Sequence, residues 1–170
     1  MTICEIFDIE QIAPLHQLVF GKSFPYESYN KKVKEHHVYL YAYYEEESII
    51  GYSIVIDQAE ERNLYAWYGG LLPEYQGNGT TTKFFDIMVR RARDLNYGSI
   101  TLASTNCRPH MLRLAIKYGF DIYDIKKRDY GEGNKIYFRF SVLPDTKLTI
   151  RLHDGENILR QVDVERILVS

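Results

Sequence analysis

The sequence predicts a mixed α/β domain, and three observations carry that reading. Short stretches rich in β-branched and aromatic residues alternate apolar with polar positions, as strands do. Between them run stretches whose apolar residues recur at helical spacing. The chain has 170 residues, 45% hydrophobic and 26% charged, which suits one domain with a core to bury. Intrinsic disorder is excluded, because it goes with few apolar residues and a strong net charge. The longest uncharged apolar runs, such as Ile49 to Ile56, fall far short of the ~20 residues a bilayer span needs. The opening MTICEIFDIE carries acids where a secretory leader has cations, so a cytoplasmic protein without membrane contact is expected.

The elements follow in order. TICEIFD alternates and reads as the first strand. Ile9, Ile12, Leu15 and Val19 recur at helical spacing, with Gly21 as the stop. A polar helix is predicted from Pro25 to His37, with Pro25 at its first position. Val38 to Tyr44 and Ile49 to Asp57 flank Glu45-Glu46-Glu47-Ser48 and predict a hairpin. Asn63 to Leu72 is a further strand, ended by Pro73. Thr81, Phe84, Phe85, Met88, Ala92 and Leu95 form one apolar stripe of a long helix that Asn96-Tyr97-Gly98 terminates. Ser99 to Ala103 is a short strand, and Pro109 to Tyr118 a helix closed by Gly119. Phe120 to Lys127 and Lys135 to Val142 pair around Gly131-Glu132-Gly133-Asn134. Beyond them, Leu148 to Leu152, the turn signal Asp154-Gly155 and Ile158 to Val164 predict a separate hairpin.

Composition narrows the function. Two cysteines, Cys4 and Cys107, build neither a disulfide framework nor a metal-binding pair, and the adjacent His36 and His37 have no ligand set at metal spacing; no metal is expected. The net charge of −2 argues against a nucleic-acid partner. The charge is nonetheless divided: residues 1–75 carry −7 and residues 76–170 carry +5. Such a division suits one cationic and one anionic partner.

The most informative segment is Leu71-Leu72-Pro73-Glu74-Tyr75-Gln76-Gly77-Asn78-Gly79-Thr80-Thr81-Thr82. A strand ends, a glycine loop turns and a helix begins, which aims backbone N–H groups and a positive helix end at one spot. No GK[ST] is present for a Walker loop, and Thr82 stands where a dinucleotide fingerprint wants its third glycine. The segment resembles the GNAT superfamily of N-acetyltransferases: Gln76-Gly77-Asn78-Gly79-Thr80-Thr81 matches that family's Gln/Arg-x-x-Gly-x-Gly/Ala loop, with Thr81 replacing the last small residue. Leu71-Leu72-Pro73-Glu74-Tyr75 looks like its approach strand, and Asn106 followed by Lys117-Tyr118-Gly119-Phe120 is similar to its downstream segment. The resemblance covers the chain to about Val142. It implies a mostly antiparallel central sheet with helices on both faces. It also implies acetyl-coenzyme A as co-substrate, its pyrophosphate on Gln76, Gly77, Asn78, Gly79, Thr80, Thr81 and Thr82. The pantetheine arm would lie on Leu71 and Leu72, with Asn106 adding to the cofactor site.

Departures from the family leave the chemistry open. The position that often holds the tyrosine protonating the departing thiolate is Ala115 here. Tyr118, three residues on, is the substitute donor or a core residue beside the helix end. No acid lies in Asn63 to Gly70, so Tyr68 relays the amine's proton through water, or else packs or lines the acceptor site. His110, in a first helical turn, is an acid–base candidate or simply exposed. Tyr39, Tyr41 and Tyr43 share one strand face, opposite Tyr44; with Tyr26 and Tyr29 they read either as core or as an aromatic acceptor pocket. The expected function is N-acetyl transfer to a primary amine, small-molecule or peptide, bound near the acidic half. The alternative is a coenzyme A-binding sensor or scaffold without catalysis. Residues 1–143 would form the domain and residues 144–170 an extension that packs on it or on a second chain, a homodimer being the expectation because the apolar hairpin must be covered.

Overall fold

A computed structural model describes residues 1–127, 133–142, 148–154 and 157–164, the last two stretches for their backbone alone. Strands β1 (Thr2–Ile6), β2 (Val38–Glu45), β3 (Ser48–Gln58), β4 (Asn63–Leu71), β5 (Ser99–Thr105), β6 (Asp121–Lys126) and β7 (Lys135–Ser141) form one sheet in the order β1-β2-β3-β4-β5-β7-β6. Every neighbouring pair is antiparallel except β4 and β5. Helices α1 (Ala13–Phe20) and α2 (Tyr26–Glu35) precede β2, α3 (Thr80–Asp94) joins β4 to β5, and α4 (Pro109–Tyr118) joins β5 to β6. Strands β8 (Leu148–Asp154) and β9 (Asn157–Val164) pair antiparallel as a second sheet. The order of elements, the mostly antiparallel sheet and the terminal hairpin agree with the sequence expectations; residues 155 and 156, where the turn was expected, lie outside the described residues.

Two cores lie on opposite faces of the sheet. Under α3, Phe84, Phe85 and Met88 meet Tyr41, Tyr43, Leu64, Ile100, Leu102 and Phe138. Under α1, Ile12 and Ala13 meet Leu40, Ala42, Tyr52 and Ile54, with Trp67 and Tyr68 packed alongside. Tyr39, Tyr41 and Tyr43 are therefore core residues. Their rings meet Phe84 and the Arg91 guanidinium, so the acceptor-pocket reading of that strand face does not apply.

Local differences have local causes. The helix expected from Ile9 is split into a 3-10 turn (Ile9–Gln11) and α1, because Pro14 cannot donate to the carbonyl a turn earlier and starts a new helix. Pro25 caps α2 from outside its first turn, and the helix stops at Glu35, leaving His36 extended. In α3 the buried residues are Thr80, Phe84, Phe85, Met88, Val89 and Ala92, whereas Leu95 lies beyond the last turn and is exposed.

Candidate active site

The parallel pair β4–β5 holds together over only four residues. Asn63, Leu64, Tyr65 and Ala66 pair with Ser99, Ile100, Thr101 and Leu102, and no pairing between the strands follows. Past that point β4 pairs only with β3, through Tyr68 to Leu71, while β5 pairs only with β7, through Ala103 to Thr105. The cause is visible at the fork. Trp67 is skipped in the β3–β4 register, where Ile54 opposes Tyr68 and Val55 opposes Ala66. A bulge of this kind bends and twists its strand, here where β4 leaves β5. The result is a wedge whose walls expose backbone groups without a strand partner, at the carboxyl ends of two parallel strands.

The glycine loop closes the β4 side of that wedge. Leu71 is buried in the α3 core, and the Leu72 N–H donates to the Ile50 carbonyl at 2.9 Å. The Gln76 amide donates back to the Leu71 carbonyl at 3.2 Å, tying the loop to the strand end. Gly77 and Gly79 have φ of 82° and 83°, left-handed values that other residues rarely adopt, and the space a Cβ would enter at either is open. The Asn78 side chain accepts from the Thr80 N–H at 3.0 Å, a local turn just ahead of α3, whose N-cap is Gly79. The Thr81 and Thr82 amides, in the same first turn, have no acceptor inside the helix. Thr80 is buried, while Thr82 and the loop tip are exposed. This open, donor-rich cradle at a helix start fits a pyrophosphate. Across the wedge, Asn106 follows β5 and its N–H donates to the Asn134 carbonyl at 3.2 Å.

Tyr68 lies on the α1 side of the sheet. Its ring packs edge-on against His16 at 5.0 Å and against Phe20 at 5.7 Å. His16 is buried, and its Nδ1 bonds the Tyr52 hydroxyl; burial, then the charge of Lys22, keeps its pKa below the usual imidazole value. Sequence reasoning missed this cluster, since His16 is a lone histidine on a helix face and Tyr52 and Tyr68 belong to two other elements. Tyr65, one pleat from the fork, neighbours Tyr137, Tyr123 and Tyr68, and burial pushes its phenol up to about 12. Tyr65, Tyr68, Tyr123 and Tyr137 are thus neighbours on β4, β6 and β7.

Tyr118 stands on the α3 side. Its hydroxyl donates to Asp86 Oδ1 at 2.6 Å and its ring contacts Phe85, Phe120 and Phe140. Burial, followed by the Asp86 bond, raises its pKa. Ala115 is fully buried and His110 is exposed. Of the acids of the first half, Glu5 pairs with Arg91, Asp57 accepts from Tyr39 and Tyr97, Glu45 ends β2 with Glu46 and Glu47 in the turn to β3, and Glu74 lies just ahead of the glycine loop. Two surface hollows of about 280 and 330 Å³ share no residue with the loop or the wedge. Among the described residues no group of three or more His, Cys, Asp or Glu is placed to hold a metal ion. No helix among them is long and apolar enough to cross a membrane.

Comparison with known proteins agrees with this geometry. Residues 4–120 match the model of the acetyltransferase (GNAT) family. No curated protein matches the sequence. Among solved structures, the chain is similar to the ribosomal-protein-S18-alanine N-acetyltransferase from Escherichia coli, with a TM-score of 0.70 and 11% identity over 83% of this chain and 93% of that one. A GNAT family acetyltransferase from Elizabethkingia anophelis with acetyl-CoA bound gives 0.60 and 18%, over 82% and 97%. The spermidine/spermine N-acetyltransferase SpeG from Vibrio cholerae, in mutant forms, gives 0.65 and 16%, over 83% and 94%. At such identities the likeness is one of fold.

Proposed function

Because the chain belongs to the GNAT acetyltransferase family, we propose that it moves an acetyl group from acetyl-coenzyme A to a primary amine by direct attack of the amine on the thioester. The observation that carries the proposal is the β4–β5 wedge with the glycine loop at its β4 wall. Acetyl-coenzyme A bound there supplies an activated acyl group. The chain's part is to hold and orient. Gly77 and Gly79 allow the loop's backbone to approach phosphate, and the Thr81 and Thr82 amides donate to it at the positive end of α3. The end of β4 at Leu71, with Leu72 after it, would lie along the pantetheine arm, with Asn106 on the opposite wall; the Leu72 N–H is given to Ile50 and the Leu71 carbonyl to Gln76. An amine entering from the α1 side meets the fork beside Tyr68, which lines that approach and passes the amine's proton on through water. Orientation supplies most of the rate, because a neutral amine attacks a thioester readily once placed.

Titrating coenzyme A calorimetrically and assaying thiol release over a panel of amines tests this reading. Gly79→Val forces a β-branched residue into the left-handed region and should weaken coenzyme A binding by about tenfold, which is ~1.4 kcal/mol. Undiminished binding would remove the loop from the cofactor site. Coenzyme A binding without thiol release for any amine would favour the sensor or scaffold reading, which Ala115 keeps in view.

A further inference from the structure

The carboxyl end of β5 holds polar groups that the transfer reaction leaves unused. Thr105 is 9% exposed, and its Oγ1 is the one buried side-chain polar atom among the described residues without a hydrogen-bond partner. Such an orphan is costly, and by alternation along β5 it lies on the face opposite Ile100 and Leu102, which belong to the α3 core. Around it stand cations. The Arg108 N–H donates to the Thr105 carbonyl at 3.0 Å, and the Arg108 guanidinium lies over the Phe20 ring at 5.3 Å, reaching from the β5–α4 turn to α1. Lys135 is the register partner of Thr105 across β5–β7, and Lys126 is the register partner of Lys135 across β6–β7. Both ammonium groups lie over Tyr137, at 5.0 and 5.3 Å.

Two like charges directly opposite each other destabilise a strand pair. None of these three cations has a carboxylate within ion-pair distance among the described residues. Asp124 opposes Tyr137 in register and forms no such pair. An orphaned hydroxyl, a guanidinium seated on an aromatic ring and two opposed lysines thus occupy neighbouring positions on β5, the β5–α4 turn, β7 and β6, beside the wall of the wedge. A carboxylate would satisfy them together, accepting from the hydroxyl and neutralising the lysines.

Resting on the acetyltransferase reading, we infer that Thr105, Arg108, Lys126 and Lys135 form a carboxylate seat beside the wedge. The acceptor is then an amine with a carboxylate close to it, an acidic amino acid or the N-terminus of an acidic peptide. The seat sets specificity. It binds the acceptor's anionic group, while the amine reaches the fork past Tyr68.

The full chain loaded with coenzyme A is titrated with amidated peptides that differ only in a second residue of Glu, Gln or Lys, and the same peptides and free glutamate are assayed for acetylation. Charge-assisted recognition predicts that the Glu peptide binds about tenfold more tightly than the Lys peptide, and that Lys135→Glu reverses the order. Arg108→Gln should raise KM for the Glu peptide and leave coenzyme A affinity where it was. Lys135→Gln, which adds no charge, should bring the Glu and Gln peptides together. Transfer to the peptide alone, or to glutamate alone, would support the seat and identify the source of its carboxylate. Acetylation of all peptides without an order, with equal binding, would overturn the seat while leaving the acetyltransferase reading intact. Selective binding of the Glu peptide without any transfer would overturn the reading and leave the seat. A loss of coenzyme A affinity in Arg108→Gln would reassign that guanidinium to the cofactor and overturn its place here.

Discussion

At the scale of single residues, the half-buried Tyr118 and the buried His16 make opposite commitments. Tyr118 has its proton directed at Asp86, and burial together with that bond holds it more tightly than an ordinary phenol. A donor so engaged must break one bond before it can protonate a thiolate. Tyr118→Phe should therefore cost about 1 kcal/mol of stability through the lost bond and leave kcat within about twofold. A large fall in kcat at unchanged coenzyme A affinity would instead make Tyr118 the thiolate's proton donor. His16 behaves as a buried neutral base. Its folded pKa lies below the usual 6.5, chiefly through desolvation, so the unfolded chain binds the proton more readily. The stability that His16 contributes is fully present above its unfolded pKa and is lost as pH falls from there through the lowered folded value. Melting followed from pH 7.5 to pH 5 should show a shallower fall in His16→Gln than in the native protein. An equal slope in the two would mean that His16 titrates alike folded and unfolded.

At the scale of elements, legibility followed local punctuation. The glycines that end α1 and α4 were readable because Gly21 and Gly119 close helices in the left-handed region, with φ of 69° and 105°. The loop from Gln76 to Thr82 was readable because its glycines must turn the chain between a strand and a helix. What escaped were events decided by partners far along the chain. Trp67 and Tyr68 look like any aromatic pair in a strand, and only the β3 register shows that one of them is bulged. The fork between β4 and β5 cannot be read from either strand, because it arises when each changes its pairing partner. The tyrosines illustrate the same limit. Alternation put Tyr39, Tyr41 and Tyr43 on one face, but α3 decides that this face is core. Meanwhile Tyr65 and Tyr137, on two strands distant in sequence, become neighbours. Thr105 and Lys135 gave no signal, since only β5–β7 pairing brings them together.

At the scale of the whole molecule, residues 1–143 and the hairpin that follows pose different problems of burial. The seven-stranded sheet has a core on each face, and its edge strand β6 is exposed throughout, with Ile122 and Ile125 among its residues. In the β8–β9 register Leu148 opposes Val164 and Ile150 opposes Val162, while Thr149 opposes Asp163 and Arg151 opposes Gln161. By register, Leu148, Ile150, Val162 and Val164 share one face, which Arg160, opposite Leu152, joins. Two strands alone are marginal in water, so this face requires a cover. An exposed edge strand such as β6 is a template for pairing with another chain. We propose that a second copy supplies the cover and that residues 1–143 fold without the extension, because their two cores are already filled. Light scattering should then find a dimer at micromolar concentration. Truncation after Pro144 should give a monomer that still binds coenzyme A in a calorimetric titration, since Gln76 to Thr82 and the wedge lie wholly within the part retained. A native protein that is monomeric at that concentration would place the hairpin against its own sheet, where deletion should lower the melting temperature without changing the mass in solution.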